Sequence, residues 1–447
     1  MSSFAGKIAA NLESGLMARS AELRQRIWFT ILVLIVYRIG SYIPLPGIDV
    51  NALSGFADQQ AGGVLGMLNM FTGGALARMS IFALNIMPYI TASIVMQIMG
   101  MVSEDLANLK KEGEAGRRKI TQYTRYLTVI LALVQGYGIG VGIEAAMSGN
   151  TPVVYSPGFF FRLTAMFSLM GGTVFVMWLG EQISARGIGN GSSLIIFTGI
   201  VSGLPMALAA FFEMGRSGVI SVTVIMAVLA MAVALVYAIV FVEKGQRRIV
   251  VQYPKRQIGN KMYGGESTHM PLKINTSGVI PPIFASAILL FPATIAGFSG
   301  KSGSSWWHEL IATYLAHGKP AYIVLYVLLI IGFSFFYTSV VFNPEETAEN
   351  LRKNGGVVVG RRPGKPTAEY FDEVLTKLTV IGSLYVAAIC IIPEILISRY
   401  AVPFYLGGTS LLIMVNVVID LFTQVQAQLL SARYEGLLKK AKFGGRL

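Results

Sequence analysis

The sequence has little of the material from which soluble enzymes and metalloproteins build their sites. Its 447 residues contain one cysteine, Cys390, which excludes a disulfide framework, a thiolate zinc site and an iron–sulfur cluster. Three histidines leave little for a metal centre. Charged residues make up 13% of the chain, against about 25% in soluble proteins. We therefore expect no metal site and no cofactor.

Hydrophobic residues make up 54% of the chain, and the mean hydropathy is +0.61. The few charged residues cannot cover a protein of this size with a solvated surface. Most of its surface must therefore face lipid. Ten apolar segments have the roughly 17–25 residues that cross the bilayer as a helix. They predict an all-α polytopic membrane protein with ten spans: 27–43, 80–102, 121–145, 158–179, 192–212, 218–242, 277–297, 320–343, 374–394 and 405–430.

The distribution of lysine and arginine predicts the orientation of these spans. With a cytoplasmic N-terminus, the cytoplasmic connections hold 27 basic residues and the opposite connections hold 5. The positive-inside rule then places both termini in the cytoplasm. Residues 1–26 are predicted to be an amphipathic cytoplasmic segment and 431–447 a cytoplasmic tail.

Ten spans divide naturally into two sets of five, residues 27–212 and 218–430, joined by a hinge loop at 213–217. An odd number of helices in each set makes the second half inverted relative to the first. Inverted halves usually meet at a site near the bilayer midplane, where we expect the function to lie.

Two kinds of segment differ from ordinary spans and loops. Residues 62–78 are apolar but glycine-rich and too short to cross a bilayer, so they form either a re-entrant turn or a small movable element inside the bundle. The long basic loops 243–276 and 344–373 carry β-branched runs beside arginine pairs and are predicted to protrude as hairpins. Contact with anionic lipid explains their charge, whereas docking of a large acidic partner also explains their length.

The spans lack the charged relay of an ion-coupled carrier, because their interior polar residues are mostly neutral. Asp420 is the one acidic residue that looks central, and Arg38 is expected to snorkel from the end of the first span. Catalytic motifs are also missing: SGKS at 299–302 has Ile295 where a phosphate-binding loop needs glycine. We predict no enzyme activity. A ten-span ion-coupled solute transporter, whose transport would depend on a buried acid such as Asp420, is the alternative function.

Six long motifs, in unbroken order, resemble the SecY/Sec61-alpha family of protein translocon channels. They are SIFALNIMPYITASIVMQI (80–98), KKEGEAGRRKITQYTRY (110–126), MWLGEQISARGIGNG (177–191), VEKGQRRIVVQYPKRQ (242–257), GVIPPIFASAILLFPATIA (278–296) and VPFYLGGTSLLI (402–413). The resemblance implies a clamshell of two inverted five-helix halves around an hourglass pore. It also implies a protein-conducting channel that passes unfolded secretory polypeptides and releases transmembrane segments sideways into lipid.

The resemblance assigns candidate residues to four features of such a channel. A pore ring would contain Ile86, Ile90, Ile196, Ile283 and Ile413, and a narrow ring of isoleucine excludes water and ions. A plug would occupy about 62–78, with Gly66, Asn69, Phe71, Gly73 and Gly74. A lateral gate would include Thr91 and Gln97, and docking would use Arg247, Arg248, Arg361 and Arg362.

The same resemblance implies the location and the partners. The location is the bacterial inner membrane. The partners are SecE, SecG, the motor ATPase SecA, the ribosome, signal peptides, unfolded preproteins and anionic phospholipids, with YidC and SecDF as accessory partners. Two positions depart from the family pattern: Ser192 stands where an aliphatic residue is common, and Arg361 where an apolar one is expected.

Overall fold

The computed structural model describes residues 21–49, 52–53, 72–144, 147–148, 151–218, 221–253, 256–258, 261–263, 267–298, 319–400 and 407–444. Helices dominate this part of the chain. In order they are α1 Ala21–Gly40, α2 Met87–Val102, α3 Glu104–Lys111, α4 Glu114–Glu144, α5 Phe159–Arg186, α6 Gly191–Arg216, α7 Val222–Glu243, α8 Ile280–Phe298, α9 Pro320–Val341, α10 Pro344–Lys353, α11 Lys365–Tyr400 and α12 Gly408–Gly444.

The strands are short and form three small antiparallel sheets. They are β1 Met147–Ser148, β2 Thr151–Pro152, β3 Gln246–Gln252, β4 Arg256–Ile258, β5 Lys261–Tyr263, β6 Ser267–Lys273 and β7 Val357–Val358. β1 pairs with β2 and β4 with β5, while the third sheet has the order β6-β3-β7. In that sheet β3 pairs with β6 over its full length, from Gln246 opposite Lys273 to Gln252 opposite Ser267.

Each of the ten predicted spans overlaps a helix. In the described chain seven helices are long and apolar enough to cross a membrane, and α2 with α3 makes an eighth if the pair, bent by 105°, is one span. α1 is not among them because its 20 residues include Glu22, Arg24, Arg26 and Arg38. The protein is therefore a predominantly helical, multi-pass membrane protein.

Several predicted boundaries were wrong. Residues 80–86, predicted as the start of the second span, form turns. Met79, just before this stretch, and Asn85, within it, have φ of 41° and 51°. Such left-handed residues do not fit inside an α-helix. In the other direction, helices extend into three predicted connections: α6 through 213–216, α11 from Lys365 and α12 through Gly444. Polar residues can extend a helix beyond the membrane, so hydropathy alone does not mark its ends.

The chain folds into two compact units. The first comprises Met1–Ala92, Thr121–Pro205 and Val417–Leu447. Within it, α1 packs against α5. The aromatic rings of Tyr37, Phe82, Phe175 and Trp178 form a row with successive centroid separations of 6.1, 5.9 and 5.8 Å. This row places the turns at 80–86 between the two helices.

The second unit comprises Ser93–Ile120 and Met206–Asn416. In it α9 packs against both α8 and α11, and α11 also packs against α10. The two long basic loops meet in one sheet, since β3 of the first loop pairs with β7 of the second, Val251 opposite Val358. The loops were predicted to be hairpins. The first is one, but the second supplies only α10 and a two-residue edge strand.

A hydrophobic core holds this sheet to the helices. Phe371 is fully buried at its centre, beneath a cluster that also contains Ile249, Val251, Leu272, Ala348, Val358, Ala368 and Leu375. Asn343 caps α10, because its side-chain oxygen accepts hydrogen bonds from the backbone N–H groups of Glu345 and Glu346. We call β3, β6, β7, α10 and the first turns of α11 the sheet subdomain.

Candidate functional site

The first part of the candidate site is the run of turns from 72 to 86, which precedes α2. Gly73 and Gly74 have φ of 65° and 84°, and a side chain on Gly73 would meet the Ser202 hydroxyl and the Gly199 backbone of α6 within 3 Å. The Leu45 N–H donates to the Met79 carbonyl at 2.8 Å, and the Ile81 N–H donates to the Ile43 carbonyl at 3.0 Å. The run is thus fixed both to α6 and to the chain that follows α1.

The isoleucines predicted for the pore ring lie in both units. In the first unit, Ile86 precedes α2 and is 1% exposed, Ile90 lies half-buried in the first turn of α2, and Ile196 is buried in α6. Ile86 packs close to Gly180 of α5, since a Cβ there would lie 3.3 Å from the Ile86 Cδ1. The predicted ring position Ile86 is therefore anchored by α5 and by the turns before it.

A glycine-rich loop, 187–190, sets the position of α6 and hence of Ile196. The Thr30 hydroxyl of α1 accepts from the Ile188 N–H at 3.1 Å, and the Gln424 side chain of α12 accepts from the Gly189 N–H at 2.8 Å. A Cβ on Gly191 would lie 1.8 Å from the Gly180 carbonyl oxygen. Only glycine allows α6 to begin so close to α5, which explains the spacing of the GIGNG motif.

A pocket of about 340 Å³ lies beside Ile86, within the first unit. Arg125 and Glu181 both line it, and the Arg125 guanidinium donates two hydrogen bonds to the Glu181 carboxylate, at 2.8 and 2.7 Å. Ser184 and Ser192 add hydroxyl groups to the lining. This ion pair was not anticipated from the sequence. Ser192, which departs from the family pattern, contributes to a polar wall rather than an aliphatic one.

The other two predicted ring residues belong to the second unit. Ile413, in α12, is 2% exposed, and Ile283, in the first turn of α8, is half-buried. α12 begins at Gly408, where a Cβ would lie 2.2 Å from the Ile389 carbonyl oxygen of α11. One turn before Ile413, the hydroxyls of Thr409 and Tyr326 lie 2.7 Å apart. Ile413 therefore sits on a helix end that is held tightly to α11 and α9.

The residues predicted for the plug and lateral gate are only partly described. Gly66, Asn69 and Phe71 lie outside the described residues, whereas Gly73 and Gly74 lie in the run of turns from 72 to 86. Thr91 and Gln97 both lie on α2. The Thr91 hydroxyl donates to the Met87 carbonyl of its own helix at 3.1 Å, and Gln97 is exposed. The boundary between the two units falls between them, after Ala92.

The four arginines predicted for docking are exposed and share the sheet subdomain. Neighbouring residues of a strand point to opposite faces, so Arg248 shares the exposed face with Val250 and Arg247 lies on the side of the buried Ile249. Arg361 lies over the Tyr370 ring, 5.3 Å from its centroid. β3 and β7 are antiparallel, with Val251 opposite Val358. Arg248 precedes Val251 and Arg361 follows Val358, so both arginines lie beyond the same end of this strand pair.

Arg362 occupies the turn between β7 and α11. Its backbone carbonyl accepts from the Thr367 hydroxyl at 2.7 Å, which fixes the main chain there, and its side chain is exposed. Positively charged side chains on a rigid sheet suit an anionic macromolecular surface, because arginine binds carboxylate or phosphate with two parallel hydrogen bonds.

The predicted location of Asp420 was wrong, and a different acidic residue is buried. Asp420, expected to be central, is exposed on α12. Among the described residues, the buried acid is instead Glu243, at the end of α7, whose carboxylate accepts from the Asn275 side-chain amide at 2.7 Å. Asn275 also accepts from the Gly278 N–H at 3.1 Å. This network joins the end of α7 to the turn before α8. Its members are separated by the whole hairpin in the sequence, so no local pattern marks them.

Three further residues near the turns at 72–86 were not singled out by the sequence: Tyr42, Arg78 and Ser202. Arg38 was expected to snorkel, but its guanidinium instead donates to the Gly73 carbonyl. Within the described ranges no cluster of His, Cys, Asp and Glu is arranged to hold a metal ion.

Comparison with known proteins gives a consistent result. The SecY family model matches residues 80–422. The chain is 58% identical to the protein translocase subunit SecY of Rickettsia felis over 421 residues, which are 94% of this chain and 97% of that protein. Its fold matches that of a solved protein-conducting channel, with a TM-score of 0.68 at 18% identity over 92% of this chain and 94% of the other. It also matches canine Sec61 from a ribosome–channel complex of the endoplasmic reticulum, with a TM-score of 0.64 at 17% identity over 92% and 94%.

Proposed function

The chain belongs to the SecY family, and we propose that it forms the central protein-conducting channel of a bacterial Sec translocon. In this role it passes unfolded secretory polypeptides across the inner membrane and releases transmembrane segments into it. The observation that carries the proposal is the similarity to a named translocase subunit over nearly the full length of both chains. The multi-pass helical fold agrees with it. The ten-span solute transporter is not favoured, because the acid on which that alternative rested, Asp420, is exposed.

The five isoleucines are proposed to form the pore ring, in a clamshell of two inverted halves, 27–212 and 218–430. Ile86, Ile196 and Ile413 are buried and Ile90 and Ile283 are half-buried, each within its own unit, which supports their role as apolar positions protected from water. A narrow ring of isoleucine does not hold a stable water column, so it blocks ions when empty. Its side chains form no hydrogen bonds, so it can admit polypeptides of different sequence.

The sheet subdomain is proposed to bind the partner that drives transport, SecA or the ribosome. Its exposed arginines and the charge excess of the predicted cytoplasmic loops support this, as does the presence of a ribosome in the complex of the similar canine channel. SecE and SecG are proposed as neighbouring subunits, signal peptides and preproteins as substrates, and anionic phospholipids as the surrounding lipid. The termini are proposed to face the cytoplasm.

The proposal is tested with vesicles that contain this chain, SecE and SecG. A secretory precursor is added with SecA, and its protection from external protease is measured with and without ATP. We expect protection that requires both SecA and ATP, and that is lost for a precursor without its signal peptide. Vesicles whose complex is intact and binds SecA, yet protect no precursor, would refute the channel function.

A further inference from the structure

Two arginines converge on one backbone carbonyl at the end of the glycine-rich segment. The Arg38 Nη1 donates to the Gly73 carbonyl oxygen at 2.9 Å, and the Arg78 Nη2 donates to the same oxygen at 3.1 Å. Arg38 comes from the last turns of α1, 35 residues earlier in the chain. Hydrogen bonds from charged donors are about twice as strong as neutral ones, so the position of the Gly73 carbonyl is strongly stabilised.

The same two guanidinium groups share one aromatic ring. The Cζ atoms of Arg38 and Arg78 lie 4.9 and 4.1 Å from the centroid of the Tyr42 ring. The Arg38 Nη2 also donates to the Tyr42 hydroxyl at 3.0 Å. Both groups lie within 5 Å of one ring centroid, so their like charges repel, and they stay together only where the surrounding groups stabilise both. Here the carbonyl and the negative face of the ring supply that stabilisation.

The carbonyl they hold belongs to a residue pressed against α6. A Cβ on Gly73 would lie 2.7 Å from the Ser202 hydroxyl and 2.8 Å from the Gly199 carbonyl. Gly199 is three residues after Ile196, so the two lie on neighbouring positions of one helix face. The contact thus joins the segment 72–79 to the helix that carries a proposed ring residue.

We propose that Arg38, Tyr42 and Arg78 form a clamp that holds the Gly73 carbonyl, and with it residues 72–79, against α6 while the channel is sealed. They act as positioning residues, and the clamp must release Gly73 before the segment can leave α6. This inference rests on the proposed channel function, and it adds the residues that keep the channel closed.

The first test measures ion leak through vesicles that contain the intact complex without a substrate. Arg38→Gln and Arg78→Gln each remove a charged donor, and we expect each to raise the leak by about tenfold or more. Tyr42→Leu, which removes the ring, should leak more than Tyr42→Phe, which keeps it. Arg162→Gln is the matched control, because Arg162 pairs with Glu144 and has no described contact with this segment. Arginine variants that leak no more than the wild type would overturn the clamp.

A second measurement does not depend on transport. Ala75 is fully buried, so a cysteine placed there in a Cys390→Ala background should react slowly with a water-soluble maleimide. Adding Arg38→Gln or Arg78→Gln should raise its labelling rate by about tenfold or more if the clamp holds the segment. An unchanged rate in an intact complex refutes the clamp. Failure of the wild type to protect a precursor refutes instead the channel function, so the two failures are distinguishable.

Discussion

Two adjacent glycines of α5 should respond in opposite ways to the same substitution. A Cβ on Gly172 would lie 1.9 Å from the Ile81 carbonyl oxygen, whereas nothing lies within 4 Å of a Cβ on Gly171. To reach an ordinary contact of about 3.4 Å, α5 and the turns at 80–86 must separate by about 1.5 Å at this point. Overpacking of this kind costs about 1–3 kcal/mol.

Alanine also favours a helix over glycine by up to about 1 kcal/mol, and this gain applies at both positions. We therefore expect Gly172→Ala to destabilise the protein by about 1–2 kcal/mol, and Gly171→Ala to be neutral or slightly stabilising. The Gly172→Ala substitution would displace Ile81, which lies in the same run of turns as Ile86. Ion leak should consequently rise in Gly172→Ala and stay at the wild-type level in Gly171→Ala.

The assay compares the two variants in the assembled complex, by the temperature at which the detergent-solubilised protein aggregates and by ion leak in vesicles. Both variants make the same Gly-to-Ala change in neighbouring residues of one helix, and they are compared at equal amounts of assembled complex. Equal aggregation temperatures and equal leak in the two variants would contradict this prediction, since the close contact with Ile81 would then have no consequence.

Two further predictions concern the docking and ring residues. Arg362→Glu should weaken SecA binding by about thirtyfold, as for loss of a central interface arginine, and should impair SecA-driven export more than ribosome-driven insertion. Lys119→Glu, at an exposed position of α4 outside the sheet subdomain, is the charge-matched control, and equal loss of both activities would contradict a partner-specific role. Ile413→Asn buries an amide in the proposed ring and should weaken the closed state by about 1–3 kcal/mol, so that precursors with defective signal peptides are exported better. Unchanged export of such precursors would contradict it.

Hydropathy located the helices well but not their ends. The ten predicted spans all overlap helices because an apolar run of this length is stable in lipid only as a helix. The turns at 80–86 were missed because SIFALNI is as apolar as the helix that follows. What sets them apart is the left-handed backbone at Met79 and Asn85. The ring of Phe82, within these turns, packs against Tyr37 of α1 and Phe175 of α5.

The family resemblance indicated which residues to examine, but not how they are held. The isoleucines and exposed arginines were named from motifs. Their supports are distant in sequence: Thr30 fixes the 187–190 loop from α1, and Asn275 binds Glu243 across the whole hairpin. Arg38 shows the limit most clearly. A charge near the end of a span is expected to reach for water, and only the folded position of the Gly73 carbonyl explains why it turns inward.

The sheet shared by the two basic loops has a consequence for how the protein is made. β3 ends at Gln252 and its edge partner β7 begins at Val357, so more than a hundred residues, including α8 and α9, must be synthesised between them. Until β7 arrives, β3 has an unpaired edge and the core around Phe371 is incomplete. A chain still emerging from the ribosome therefore cannot display the finished arginine surface. On the proposed docking role, the partner that drives transport should therefore bind only chains synthesised through β7 and Arg362, and incomplete chains should not bind it.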